Sequence, residues 1–570
     1  MSAHPWIHSY PDGVRWDVEL PVMPVHDIID RSAAQWPDLH AIDFMGRRMS
    51  YRELKELTDR AAAGFQRLGV KPGVHVGLYL PNTPHYIVAF FGVLKAGGVV
   101  VNYSPLDAEQ VLAHKVEDSE TELMVTLDLQ AMAPQMLRLL GHSRLRGLVV
   151  GNVAEMSGAP GPVAQQMRQA GQLAELPADE RIVPFERLLA NDGRHTRHDI
   201  GDPREALAVL QYTGGTTGSP KGAMLTHGNL ATACSQIWVL TQGTPKVLEL
   251  ASEKLLVVLP LFHIYALTAD MLFGLQIGAE LVIHLRFDVD AALRDLAAKR
   301  ITCFPGVPTM FTALLSHPKL ADFDLTALKH CNSGGAPLPL EVQQRFQQVT
   351  GCTLNEGWGM TETSPTGTFT PRFGKRKSGS CGLPVPQAVI KLVDVDDPSR
   401  EVPRGQRGEI CIKGPNVMKG YWHNPDATRA SMTPDGFFRT GDVGIMDDEG
   451  FVFIVDRTKD MILCGGYNVY PRTIEEAIYR HPSVAEVCVI GVPDAYRGQS
   501  PKAFVKLKDG AAPLTLDELK AFLAPRIGKH EMPSELELRA ELPKTPVGKL
   551  SKKELVAEEQ ARRREGQTFR

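Results

Sequence analysis

Residues 212–225 read "YTGGTTGSPKGAML", four glycines, three threonines, one proline and one lysine in fourteen positions. Glycine lets the backbone approach a bound group, threonine offers hydroxyl donors and lysine brings a mobile positive charge, so the composition suits a phosphate. Lys221 follows Pro220 and not glycine, and no G-x-G-x-x-G spacing occurs. The loop therefore matches neither the Walker nor the dinucleotide fingerprint. A tight surface turn built of breakers is the competing reading, and the loop alone does not choose.

On both sides of the loop, apolar strand-like runs alternate with helical patterns: "HVGLYL" (75–80) before "HYIVAFFGVLKAG" (85–97), then "KLLVVLPLF" (254–262), "ELVIHL" (280–285) and "ITCFPGV" (301–307). That alternation predicts an α/β fold with largely buried sheets. Between about Leu129 and Asp202 it weakens into polar, Gly/Pro-punctuated sequence, which predicts a variable peripheral region. From Phe451 the texture changes. "FVFIVDR", "SVAEVCVIGV" and "KAFVKL" read as strands, and "PRTIEEAIYRH" and "TLDELKAFLAPRIG" as helices, the latter opened by a Thr515–Glu518 capping box. This predicts a large domain over 1–456, a hinge at 457–460 in the charged join "VDRTKDMI", and a small α+β domain over 461–570.

The whole chain bounds the function classes. With 62 basic and 66 acidic residues in 570, the formal charge is -4, so nothing global favours nucleic acid or an anionic membrane. The eight cysteines form no C-x-x-C pair, which argues against zinc, redox dithiol or disulfide frameworks and suits a reducing cytoplasm. No signal pattern or C-terminal address is visible, and the best apolar run, "MLFGLQIGAELVIHL" (271–285), is short and contains Glu280. A soluble protein is expected.

Five further segments share the first loop's character: "LPLFHIYAL" (259–267), "NSGGAPLP" (332–339), "NEGWGMTETSP" (355–365), "FFRTGDVG" (437–444) and "PKTPVGKL" (543–550). Taken singly, His263 reads as a core histidine, Trp358 as packing, Glu362 and Asp442 as loop carboxylates and Lys549 as one lysine among many. Their ordered conjunction is far more specific.

In this order the motifs resemble those of the adenylate-forming superfamily of acyl-CoA synthetases, luciferases and peptide-synthetase adenylation domains. The match runs from roughly Asp27 to Lys552. Across "DGFFRTGDVGIMDDEGFVFIVDRTKDMI" (435–462) the chain is most similar to bacterial medium- and long-chain fatty acyl-CoA ligases. The resemblance implies a large multi-sheet N-terminal domain and a small mobile C-terminal domain carrying a catalytic lysine.

It also implies roles. Thr213, Gly214, Gly215, Thr216, Thr217, Gly218 and Lys221 would cradle the β- and γ-phosphates of ATP. Gly334, Gly335, Ala336, Pro337, Trp358 and Gly359 would form the adenine slot, with Trp358 standing where relatives more often have tyrosine. Thr361 would touch the α-phosphate, Glu362 hold Mg²⁺, and Asp442 and Arg457 grip the ribose. His263 would shield the reacting carboxylate, with Ala266 after it where glycine is common. Lys549 would supply charge for adenylation, Lys459 would be the hinge, and Gly465, Gly466 and Tyr467 of "CGGYNV" would meet coenzyme A. "IWVLTQ" (237–242) and "FPGVPTMF" (304–311) would line the acyl tunnel.

The implied reaction is ATP-dependent ligation of a medium- or long-chain fatty acid to coenzyme A through an acyl-adenylate. An adenylating enzyme that passes dicarboxylic, aryl or fatty acyl groups to coenzyme A or a carrier protein is the alternative. A binding module that lost the chemistry is disfavoured, because Thr361, Glu362, Asp442, Arg457 and Lys549 are all of the required type. The implied partners are the acid, ATP and CoA, a lysine acetyltransferase and deacetylase acting on Lys549, and a peripheral membrane contact for acyl delivery.

Overall fold

The computed structural model describes residues 4–213, 220–336, 338–457, 460–464, 467–494, 496–545 and 548–568. A seven-stranded sheet runs in the order Leu354–Glu356, His330–Ser333, Cys303–Gly306, Lys254–Val257, Glu280–Ile283, His40–Phe44, Arg47–Ser50. All its pairings are parallel except the last. An eight-stranded sheet begins Gly420–Tyr421, Lys221–Thr226, Leu207–Thr213 and continues through Val99–Asn102, His75–Leu78, Thr121–Leu127 and Gly147–Gly151 to Ile182–Pro184.

Both faces of these strands are covered, which is why the sequence shows near-continuous apolar runs in place of strict alternation. Ile42, Leu281, Val76, Val100 and Val209 share one apolar core, while Tyr79, Val101, Tyr103 and Leu210 belong to a second. Adjacent residues of one strand, such as Val100 and Val101, thus point to different cores.

The stretch 129–202 departs from expectation. It holds helices Ala133–His142, Pro160–Gln169 and Phe185–Leu189, and its strands Gly147–Gly151 and Ile182–Pro184 complete the eight-stranded sheet. Strands of five and three residues are too short to show a period, and the Asn152–Glu155 capping box reads in sequence as loop chemistry.

A four-stranded antiparallel sheet, Val389–Val393, Arg407–Lys413, Phe438–Met446 and Val452–Arg457, stands beside the site. After Arg457 the chain enters a separate five-stranded sheet at Ile462–Cys464. Ile474, Ile478, Val487, Val505, Leu519 and Leu523 form a core of their own there. Thr515 and Glu518 make the expected capping box. Asp456 spans the passage, accepting from the backbone N–H groups of Arg457 and Arg472, each at 2.7 Å. Among the described residues no helix is long and apolar enough to cross a membrane.

Candidate active site

The carboxyl ends of the parallel strands of the seven-stranded sheet open into a cavity of about 750 Å³. Open α/β sheets place ligands at such ends. Thr213, Lys221, His263, Gly334, Gly335, Trp358, Gly359, Thr361, Glu362, Arg457 and Lys549 all border this one space. They come from segments spread across the sequence, and the fold brings them together.

Lys549 belongs to a turn in which its N–H reaches Thr545 Oγ1 at 3.1 Å and the Gly548 N–H reaches the Thr545 carbonyl at 2.8 Å. Thr309 Oγ1 donates to the Gly548 carbonyl at 3.0 Å, tying the turn to the large body. The aminobutyl chain then lies over Gly335: a Cβ there would stand 2.0 Å from Lys549 Cε and 2.4 Å from Nζ. Only glycine leaves that room, and its φ of +78° is one that side-chain-bearing residues rarely adopt. Burial first, and the Arg457 cation second, lower the Lys549 amine to about 8, while Asp442 acts the other way.

Trp358 is buried, and its indole N–H donates to Asp442 Oδ2 at 2.7 Å. The other carboxylate oxygen meets Arg457 Nε at 3.1 Å, as the antiparallel register pairs Asp442 with Arg457. Asp442 in turn raises the Arg457 guanidinium. Asp442 therefore lies just behind the cavity wall, with lone pairs left for further donors. Gly359 is fixed by close approach, since a Cβ would fall 1.5 Å from the Pro365 carbonyl oxygen. Ala336 stands next to the bordering glycines without bordering the cavity itself.

Glu362 is a buried carboxylate of the cavity wall. Tyr421 donates its hydroxyl to Oε1 at 2.8 Å, and burial raises the Glu362 carboxyl despite that bond. Lys221 Nζ sits 5.1 Å from the centre of the Tyr421 ring, a cation–π distance. Thr213 and Lys221 are register partners at the two ends of the glycine- and threonine-rich segment 214–219. Among the described residues no group of three or more His, Cys, Asp or Glu side chains could cage a metal.

His263 caps a short helical turn, its Nδ1 accepting from the Tyr265 N–H at 3.2 Å. Burial, then Lys549, lower it to about 3, so the imidazole is neutral. Tyr265 reaches the Asn332 carbonyl at 3.2 Å. Ala266 opens onto a π-helical stretch, Leu267–Leu272, whose Ala269 borders the cavity. Of the expected tunnel segments, Ile237, Leu240, Thr241 and Pro305 border it, while Met310 and Phe311 are packed into the core.

Gly214, Gly215, Thr216, Thr217, Gly218, Pro337, Lys459, Gly465 and Gly466 lie outside the described residues, as does the side chain of Tyr467. Sequence reasoning missed Tyr421, Thr309 and Glu356, the last a cavity carboxyl that burial lifts to about 7. Tyr421 stands in "KGYWHN", where only an aromatic beside glycine hints at a close approach.

Comparison with known proteins agrees with this geometry. Residues 29–422 match the AMP-binding enzyme family, and residues 473–549 match the AMP-binding enzyme C-terminal domain. The long-chain-fatty-acid--CoA ligase of Bacillus subtilis (strain 168) is 39% identical over 566 residues, covering 98% of this chain and 99% of the relative. The enzyme of the same name from Escherichia coli O6:H1 is 38% identical, covering 96% and 97%. Among solved structures, ATP-bound MatB from Rhodopseudomonas palustris superposes with a TM-score of 0.81 at 28% identity, covering 94% of this chain and 98% of that one. With the family match spanning most of its length, the chain belongs to the AMP-binding enzyme family.

Proposed function

We propose that this protein joins a medium- or long-chain fatty acid to coenzyme A through an acyl-adenylate, releasing pyrophosphate and AMP. One observation carries the reading: Lys549 lies over Gly335 in the same cavity that Trp358, Glu362 and Arg457 border, with Ile237, Leu240 and Phe273 along its apolar part. That arrangement suits a nucleotide beside an acyl chain. Full-length similarity to enzymes named long-chain-fatty-acid--CoA ligase supports the substrate class.

Attack of a carboxylate on the α-phosphorus of ATP gathers negative charge, which preorganised cations stabilise. Among the described residues Lys549 and Lys221 are the lysines that border the cavity, and Arg457 stands beside the first. Glu362 presents one carboxylate with Tyr421 holding one of its oxygens. That donor set fits Mg²⁺ shared with phosphate oxygens, the usual arrangement for this hard cation, and the ion would neutralise triphosphate charge. The neutral His263 ring can cover the reacting carboxylate without competing for a proton. The adenylate is a mixed anhydride, which the coenzyme A thiolate opens.

We assign the large unit to 1–456, the hinge to 457–460 with Lys459 at its pivot, and the mobile unit to 461–570. The passage of the chain between two sheets after Arg457 supports that division. The unpaired state of all eight cysteines supports a reducing cytoplasm. Acetylation of Lys549 would remove its charge and switch the enzyme off. The test is to mix protein, ATP, Mg²⁺, hexadecanoate and coenzyme A, and to measure acyl-CoA, AMP and pyrophosphate in equal amounts. Formation of ADP, or of no thioester with any acid, would overturn the reading.

A further inference from the structure

The floor of the cavity is the face of the seven-stranded sheet, and its rows can be read from the strand register. Leu255 pairs with Cys303 and Cys303 with His330; on the next row of the same face Pro305 pairs with Asn332 and Asn332 with Asn355. All six border the cavity. His330 opens its strand and Gly334 follows the end of it, so the lower row lies about 13 Å below the glycines at the strand ends. The cavity therefore runs down the sheet, away from Lys549 and the nucleotide end. An alkyl channel closed by hydrocarbon would be apolar at that depth. This one is apolar at Leu255 and polar at His330.

Two arginines stand at the polar side. Arg372 borders the cavity and points Nη1 at the Cys352 sulfur, 3.8 Å away, two residues before the edge strand Leu354–Glu356 begins. Arg376 donates to Asn355 Oδ1 at 3.3 Å. Neither has an ion-pair partner among the described residues. Arg376 loses basicity through burial and through the charge of Arg372, so the two cations share one neighbourhood. The Arg372 charge also reaches His330, which burial first of all lowers to about 4, leaving its ring neutral. Asn332 Nδ2 stands 2.9 Å from His330 Nε2, so Nε2 accepts and Nδ1 carries the proton. That Nδ1–H is buried away from the cavity and has no partner among the described residues.

A methyl terminus brought to this side would cover Arg372, which is only partly exposed and has no ion pair among the described residues, without offering it an acceptor. An anionic acceptor there would meet Arg372, with the Arg376 charge close behind it. We propose that the floor of the acyl cavity is a second recognition site, in which Arg372, with Arg376 and His330 beside it, receives an oxyanion at the far end of the acyl chain. The preferred acids are then α,ω-dicarboxylic acids long enough to reach from the nucleotide end to Arg372. This rests on the acyl-CoA ligase reading above and narrows its substrate.

The test is kcat/KM for AMP release with ATP and coenzyme A across two matched series, monocarboxylic acids from hexanoate to hexadecanoate and the corresponding diacids. The diacids should show a length optimum, and there exceed the monoacid of equal length by about tenfold or more, the usual effect of a hydrogen bond to a charged group. Arg372→Leu should lower that diacid-to-monoacid ratio by about the same factor. Arg372→Lys, whose ammonium reaches less far, should move the optimum to a longer diacid, a shift that a merely structural role would not produce. If Arg372→Leu does not fold, the Arg372→Lys optimum decides the point. Diacids inferior to monoacids at every length would overturn the second site and leave the fatty-acyl reading standing. Absence of AMP release with every acid of both series would overturn that reading, and the second site with it.

Discussion

The indole N–H of Trp358 and the carboxylate of Asp442, eighty-four residues apart in sequence, meet at 2.7 Å behind the cavity wall that Arg457 borders. A tyrosine at this position would carry its hydroxyl at the end of a smaller ring and have no donor where the indole N–H stands. The pair locks the aromatic face that would stack on adenine to the acid that would grip the ribose. Trp358→Phe should therefore raise the KM for ATP by about tenfold, the scale of a charge-assisted hydrogen bond, with a smaller effect on kcat. Steady-state kinetics in ATP checks this, and an unchanged KM would dissociate the two residues.

Lys549→Ala should slow adenylation by at least ~10²–10³-fold, as loss of one transition-state charge donor does. The same variant should still convert a supplied acyl-adenylate and coenzyme A to thioester. Single-turnover assays of each half-reaction separate the outcomes.

The charge on Lys549 also sets a pH limit. Its amine is lowered from an ordinary value of 10.5 to about 8, so the cation is lost as pH rises through about 8. The kcat/KM for ATP in adenylation should fall above that pH, because this ratio reports the free enzyme. Bound triphosphate favours the cation, so the corresponding limb in kcat should lie at higher pH. A flat profile in both would show that the ammonium is dispensable.

Tyr421→Phe removes the hydroxyl that holds Glu362 Oε1 and leaves the ring beneath Lys221. The expected result is a weaker apparent affinity for Mg²⁺, by a factor of about ten, with full recovery at high metal concentration. Titration of adenylation rate with Mg²⁺ measures it.

Lys459→Pro fixes φ near about -65° and removes a backbone donor at the proposed hinge. Thioester formation should drop while adenylation persists, so the ratio of the two single-turnover rates changes. If both fall together with the unfolding temperature, position 459 is a rigid linker.

How much of this was legible beforehand depended on sequence distance. The buried sheets showed as apolar runs because both faces are covered, and "GWGMTETSP" or "NSGGAP" carried a site because close approach demands glycine within a few residues. The contacts of Asp442 were not legible: its strand pairs with Val452–Arg457 by a register with a bulge between Val443 and Gly444, and no local pattern encodes which side chain Trp358 meets. Tyr421 was missed for the same reason, since it reaches Glu362 across fifty-nine residues from a two-residue strand. The stretch 129–202 was under-read because its strands are short, and the tunnel floor because His330 and Asn332 matter only through the strands beside them.

The hydrogen bond from Thr309 to the Gly548 carbonyl joins two neutral groups, and such bonds contribute about 1 kcal/mol net. Lys549 meanwhile lies beside Arg457, whose charge opposes its own. Without a nucleotide, burial and Arg457 disfavour the ammonium more than Asp442 favours it. A bound triphosphate would favour the ammonium, and departure of pyrophosphate would leave only the single phosphate charge of the adenylate to hold it. On the proposed reaction, the cavity's own charge count would time the exit of the lysine, and the chemistry completed at the α-phosphorus would release it for the second half-reaction without a separate signal.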